Sequence, residues 1–282
     1  MTTDSSQPIS CLRTRPAERV LAHSLFIVIS ILVAFPLYWL VLTSFRGLGE
    51  IYSPRPFAQS PTLENYRTAV KALPLVQLLM NTVVMSVLRT AAQILTGLLA
   101  AFALTRWKFR GSAVVLALFT FTWLVPQQVT MIPNYVLLSK LGWLNSQLAL
   151  VVPHMVAPFG LFLFYQTMRS FPASLMDSAD IDGAGHWMLL WHIIVPNLTS
   201  SISAVAILCF VGSWNDYFWP VLVTNRLENS VIQVGLQSFL TQEGNSWGPL
   251  MALATLAILP IFLLYVFFQS RITDAFVRSG LR

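Results

Sequence analysis

Apolar residues gather along this chain in runs too long for the interior of a soluble domain. A helix needs about 20 predominantly apolar residues to cross a hydrocarbon core of roughly 30 Å. Six segments reach that length: Leu21 to Thr43, Leu75 to Leu104, Ala113 to Ile132, Leu148 to Met168, Ser201 to Val223 and Leu250 to Phe268. The pattern predicts an all-α polytopic membrane protein with six transmembrane helices. Prolines fall inside several runs, at Pro126, Pro153, Pro158, Pro220 and Pro260. A proline ends or kinks a helix, and a membrane tolerates this where neighbouring helices or a cavity take up the freed carbonyls. Broken helices of this sort hint at transport without establishing it.

Composition agrees with the pattern. Hydrophobic residues make up 56% of the 282 and charged residues 10%, against about 25% charged in soluble domains; the mean hydropathy is +0.68. A net charge of +6 would suggest nucleic acid in a soluble protein, but here the basic residues flank apolar runs, where they orient the chain in the bilayer. Nucleic-acid binding is therefore not expected. Cys11 lies in a polar tail and Cys209 inside an apolar run, so a disulfide framework is excluded. The first run is too long for a signal-peptide core and lacks a small-residue cleavage site, so it is expected to remain as a membrane helix.

Basic residues then set the orientation. Arg13, Arg15, Arg19, Arg106, Lys108, Arg110, Arg169, Arg271, Arg278 and Arg282 fall on one side of the spans, against Arg46, Arg55, Arg67, Lys71, Lys140 and Arg226 on the other. The excess predicts that both termini and the short Arg106–Arg110 turn are cytoplasmic. Residues 1–18 read as a mobile cytoplasmic tail and 19–282 as a single membrane domain. The outer loops, Arg46 to Leu73 and Thr224 to Gly248, are too small to form a solute-binding domain. No short-period repeat or low-complexity tract interrupts the chain.

One cytoplasmic segment departs from the membrane pattern, the loop 170–198. Pro172 suits a first helical turn, and Ser174 with Asp177 three residues on resembles a capping box, so a short helix is predicted to about Ile181. Asp182-Gly183-Ala184-Gly185 then supplies a turn, because glycine adopts the left-handed conformation that ends helices. A second short helix is predicted with Trp187, Leu190, Trp191 and Ile194 on one face, stopped before Pro196. Local pattern alone also fits a folded loop packed on the bundle, as the lesser alternative.

Spacing adds a resemblance. Asp177-Ser178-Ala179, Asp182-Gly183-Ala184, Ile193 and Pro196 fall at the positions of the loop signature of ABC importer permeases, Glu-Ala-Ala, two residues, Asp-Gly-Ala, eight residues, Ile and a nearby Pro. Asp177 stands where Glu is usual and Ser178 where Ala is usual; aspartate keeps the charge on a side chain one methylene shorter. Further stretches resemble the carbohydrate-uptake class of these permeases, the maltose type. They include Ala100-Ala101-Phe102-Ala103, Ile132-Pro133-Asn134-Tyr135, Trp214-Asn215-Asp216-Tyr217-Phe218-Trp219-Pro220 and Trp247-Gly248-Pro249-Leu250-Met251-Ala252. The stretch from Gln242-Glu243-Gly244 to Met251-Ala252 also resembles glycerol-phosphate permeases.

The resemblance implies the type I importer fold and a coupling helix seated in a cleft of an ATPase subunit through Asp177, Ser178, Ala179, Asp182, Gly183 and Ala184. It also implies a second permease subunit, two ATP-binding subunits and an extracytoplasmic solute-binding protein in a bacterial or archaeal inner membrane. A sugar is the expected solute, with glycerol 3-phosphate or a glycerophosphodiester as the alternative.

None of the thirteen glycines is followed by lysine, so the chain has no phosphate-binding loop; ATP and magnesium are expected on a partner and no cofactor here. The four histidines, His23, His154, His186 and His192, assemble no catalytic constellation and read as structural or interfacial. Arg89 lies near the middle of a span, where an arginine costs roughly 2.5–3.5 kcal/mol unless it faces protein or water. It is expected inside the bundle, either on the solute path or paired to a carbonyl, Gln93 or another polar side chain. Gln127, Gln128, Trp214 and Asn215 complete a candidate solute path, as amides exchange hydrogen bonds with hydroxyls and an aromatic face packs on a sugar ring. Trp219 and Tyr217 read rather as an interfacial belt. A secondary transporter or channel is the rival from another class, but Asp216 is the only acidic residue inside a span and the 177–196 insert would have no role. A membrane enzyme lacks a nucleophile, metal set or acid–base pair.

Overall fold

The computed structural model describes residues 16–107, 109–241 and 244–280. The 1–15 part of the predicted tail, with Cys11, Arg13 and Arg15, lies outside the described residues, as do Lys108, Gln242, Glu243 and Arg282; so does the side chain of Ser174, half of the predicted capping box.

Among the described residues the regular structure is helical apart from a two-residue antiparallel ladder, Leu240–Thr241 with Gly244–Asn245. In order, the helices are α1 (Pro16–Ser44), α2 (Glu64–Ala72), α3 (Leu75–Arg106), α4 (Ser112–Leu124), α5 (Gln127–Lys140), α6 (Gln147–Val151), α7 (Pro158–Arg169), α8 (Ala173–Ile181), α9 (His186–Met188), α10 (Val195–Asn197), α11 (Thr199–Trp214), α12 (Phe218–Val223), α13 (Ile232–Gln237) and α14 (Trp247–Gly280). Short 3-10 turns cover Leu48–Glu50, Val152–His154 and Leu227–Asn229, and a π-helix, Leu189–Ile194, joins α9 to α10.

Among the described residues, three helices are long and apolar enough to cross a membrane: Arg19–Ser44, Leu75–Arg106 and Trp247–Phe267. The other candidate spans are broken. Ser112–Leu124 and Gln127–Lys140 meet at 96°, Gln147–His154 and Pro158–Arg169 at 42°, and His186–Asn197 and Thr199–Trp214 at 79°. These bends fall within or beside three of the predicted runs. The run Ala113 to Ile132 turns a corner at Pro126, since Val125 before it is held extended (φ −77°, ψ 119°) by the steric demand of the proline ring. The run Leu148 to Met168 breaks at 155–157. The run Ser201 to Val223 stops at Trp214, and Phe218–Val223 is a separate short helix.

α3 is the axis of the fold. Its two ends and its middle contribute to three packing clusters: Leu75 and Leu78 pack with α2, α13 and α14; Met85 with α5, α6 and α12; and Leu98, Ala101 and Phe102 with α7, α8 and α11. Gly97 permits the approach of α7, because a Cβ there would stand 3.2 Å from the Leu161 amide nitrogen, the close small-residue packing common between membrane helices. α1, by contrast, is exposed along almost its whole apolar length and leans on α14.

Candidate solute site and coupling knob

The 42° break between α6 and α7 frees backbone carbonyls within an apolar bundle, and side chains of neighbouring helices satisfy them. Arg89, Gln93 and Thr96 lie on successive turns of one face of α3. Arg89 Nε donates to the Leu150 carbonyl (2.7 Å), Gln93 Nε2 to that of His154 (2.7 Å) and Thr96 Oγ1 to that of Met155 (3.0 Å). From the opposite side Trp219 Nε1 donates to the Ala149 carbonyl (2.9 Å).

Arg89 is only 2% exposed and its Nη1 donates to Asp216 Oδ2 at 2.7 Å. Of the two placements open to Arg89, the structure shows the internal one: a carbonyl and a carboxylate hold it. Asp216 follows the end of α11, where Asn215 Nδ2 returns to the Val211 carbonyl, and its other oxygen faces the Trp219 amide at the start of α12. One carboxylate thus serves the break between two helices and the arginine of a third.

Beside this cluster lies a cavity of about 420 Å³ between α3, α4, α5, the α6–α7 break and α11. Gln93, Gln127, Thr130, Asn134 and His154 give it polar lining, while Trp123 and Phe159, with ring centroids 5.6 Å apart, form part of its apolar wall. Of the residues expected on a solute path, Gln127 lines this cavity and Gln128 is exposed on the same helix without lining it. Trp214 is fully buried with its indole N–H on the Ala257 carbonyl, so its ring presents no face to a solute. Asn215 is exposed and capping α11. Trp219 is buried against His154 and is no part of an interfacial belt. Gln93, Thr130, Asn134 and His154 escaped the sequence reading as cavity residues; the i, i+4, i+7 polar series Arg89, Gln93, Thr96 in an apolar run was the available signal.

The insert folds as a knob. α8 ends in a Schellman turn, with Gly183 left-handed (φ 75°) and the Ala184 N–H on the Ala179 carbonyl at 2.9 Å. Ala179 is buried and packs with Leu189, Leu190 and Ile194, so it faces inward. Asp177, Ser178, Asp182 and Gly183 are exposed and Ala184 is half-buried. The second leg departs from expectation: Trp187 and Trp191 are exposed while Leu189 takes their place inside. A π-helix over Leu189–Ile194 changes the angular spacing of side chains from the 3.6-residue period. The wider turn also makes room for Pro196, whose ring would strike the carbonyl four residues back in an α-helix. The leg therefore continues to Asn197 rather than stopping before Pro196. Trp107, just after α3, meets His186 edge-on at 5.2 Å and ties the knob to the bundle.

Residues 93–277, well over half of the chain and including the cavity's α3 side and the entire knob, match the model of the family described as binding-protein-dependent transport system inner membrane component. The chain belongs to this family. It is a permease component of an ABC importer. Among curated relatives, a probable starch degradation products transport permease, AmyC of Thermoanaerobacterium thermosulfurigenes, is 29% identical over 96% of this chain and 100% of its own length. The sn-glycerol-3-phosphate permease UgpE of Brucella abortus is 29% identical over 92% of this chain and 95% of its own. The arabinooligosaccharides permease AraQ of Halalkalibacterium halodurans is 30% identical, covering 86% and 89%. In fold, the permease resembles a crystallised bacterial ABC transporter involved in import of the acidic polysaccharide alginate, with a TM-score of 0.79 at 19% identity over 91% of this chain and 98% of that one.

Proposed function

We propose that this permease is one of two membrane subunits of an ATP-driven importer and that it moves a sugar inward. The chain from residue 19 onward forms one six-span domain with three broken spans, with both termini and the 170–198 loop cytoplasmic. The knob docks in a cleft of a partner ATPase, which binds ATP and magnesium. A second permease subunit, two ATPase subunits and an extracytoplasmic binding protein complete the assembly. Glycerol 3-phosphate is the alternative cargo, favoured by the UgpE relative.

The observation that carries the docking is the unpartnered apolar rim of a polar knob: Ile181, Trp187 and Met188 are 86%, 66% and 57% exposed beside the exposed Asp177, Ser178, Asp182 and Gly183. Water is a poor solvent for such a rim, and a partner cleft covers it at a gain of about 25 cal/mol per Å². On this reading Asp177, Ser178, Asp182 and Gly183 touch the ATPase, whereas Ala179 and Ala184 fix the turn from within.

Gly183 gives the test. A Cβ on it meets nothing within 4 Å in this chain, so only its left-handed backbone resists substitution, and asparagine tolerates that conformation. Gly183→Asn should keep the fold and much of the coupling. Gly183→Trp should assemble poorly with the ATPase or uncouple ATP hydrolysis from uptake. Full assembly and coupling in the tryptophan variant would overturn the docking.

A further inference from the structure

We propose that the cavity beside Gln93 and His154 is a solute subsite of this chain itself, and that it takes an uncharged polyhydroxylated ring in preference to a phosphate or carboxylate. The inference rests on the importer reading above and concerns which subunit holds the solute and with what chemistry.

Three observations converge on it. First, two buried polar atoms of lining residues, Gln93 Oε1 and His154 Nδ1, make no hydrogen bond to the described residues. The Gln93 amide is oriented, because its nitrogen donates to the His154 carbonyl; its oxygen is therefore an acceptor aligned by the backbone. A buried acceptor without a donor costs roughly 1–3 kcal/mol; both atoms are shielded from solvent here, and a solute hydroxyl supplies the donor once the lining side chains shift to admit it.

Second, among the described residues the lining carries no carboxylate, ammonium or guanidinium. Its polar groups are the amides of Gln93, Gln127 and Asn134, the hydroxyl of Thr130, the imidazole of His154 and the weakly polar thiol of Cys209. Thr130 Oγ1 already donates to the Gln127 carbonyl and so keeps acceptor capacity. Amides both donate and accept, which matches hydroxyls that do the same. Trp123 and Phe159 add a flat apolar wall of the kind that packs on the C–H face of a sugar ring.

Third, the nearest cation is already balanced. Arg89 is absent from the lining, and Asp216 neutralises it at 2.7 Å. Its Nη2 does lack a partner, which is the feature an anionic solute would exploit. An anion there would have to compete with the carboxylate that already holds the guanidinium, in a site where repulsion is weakly screened. A cavity of about 420 Å³ falls within the usual range for small-molecule sites of roughly 300–1,000 Å³.

The complete importer, reconstituted in proteoliposomes with its binding protein and internal ATP, provides the test. Maltotriose, arabinotriose and diacetylchitobiose serve as neutral probes and sn-glycerol 3-phosphate as the anionic one. At least one neutral probe should be carried. Gln93→Leu and Asn134→Leu should each raise its half-saturating concentration about 3- to 10-fold, the loss expected for one neutral hydrogen bond. A second readout does not require these variants to fold. Cys209 lines the cavity, so in a Cys11→Ser background the transported probe should slow its alkylation by N-ethylmaleimide, read on this chain by mass spectrometry. Neutral uptake unchanged in both variants together with unprotected Cys209 would overturn the subsite, and so would transport of glycerol 3-phosphate alone. ATP-dependent uptake of none of the four probes would instead overturn the importer reading beneath it.

Discussion

Arg89 Nη1 lies 2.7 Å from Asp216 Oδ2, joining the middle of α3 to the break between α11 and α12 across 127 residues of sequence. With the carbonyl of Leu150 on its Nε, this arginine holds three separate elements. Breaking one member of a buried pair strands the other charge, at a cost of about 3–5 kcal/mol, whereas removing both is often close to neutral. Asp216→Asn and Arg89→Met should each markedly lower the melting temperature of the detergent-solubilised importer, and the double variant should recover much of the loss. Additive losses would show that the two groups act independently.

The same pairing changes what Arg89 does in transport. A solute-selecting arginine would lose phosphate uptake alone when replaced by glutamine. As the strut between α3, α6 and Asp216, Arg89→Gln should depress uptake of every solute by a similar factor and lower stability with it. Selective loss of glycerol 3-phosphate uptake, with neutral sugars unaffected, would contradict this role.

Gly248 stands against the side chain of Asn65, and a Cβ added to it would overlap the amide. That amide donates to the carbonyls of Ser44 (2.9 Å) and Arg46 (2.7 Å) and so ties α2 to the end of α1. Gly248→Ala should therefore destabilise by roughly 1–3 kcal/mol, seen as a fall in melting temperature. Asn65→Ala/Gly248→Ala should cost no more than Asn65→Ala, since the clash is gone.

Trp187 is 66% exposed on the knob and supports little of this chain's own packing. Trp187→Ala should leave the melting temperature of the isolated permease within about 0.5 kcal/mol equivalent but reduce co-purification of the ATPase subunit. Unchanged co-purification would remove this tryptophan from the docking surface.

Trp219 fills the bundle beside His154 and donates to the Ala149 carbonyl at 2.9 Å. Trp219→Phe leaves that buried carbonyl without a donor, at about 1–3 kcal/mol, and loosens one wall behind His154. Reduced thermal stability with weaker uptake of any neutral solute is expected, measured on the same reconstituted importer.

Hydropathy alone determined that this chain is a helical membrane protein, because about 20 apolar residues in a row have no other stable home. It also located the knob, since Gly183 and the residues around it obey a local rule: a left-handed glycine commonly closes a helix. Proline position was less informative. Pro126 turns a corner of 96°, yet Pro260 lies inside an unbroken α14, and nothing in either local sequence distinguishes them. The difference arises in space, where a break survives only if other helices supply donors for its freed carbonyls. Arg89, Gln93 and Thr96 do so for the α6–α7 break, from about sixty residues away in sequence. The interior of the knob was not legible for a related reason, since a π-helix over Leu189–Ile194 ahead of Pro196 leaves Leu189 inside and Trp187 outside. The sequence by itself thus determined what kind of protein this is and where its polar loop lies. Only the tertiary structure decided that Arg89 belongs to Asp216 and that Gln93, Asn134 and His154 share a cavity, because those pairings depend on contacts between helices that no local pattern encodes.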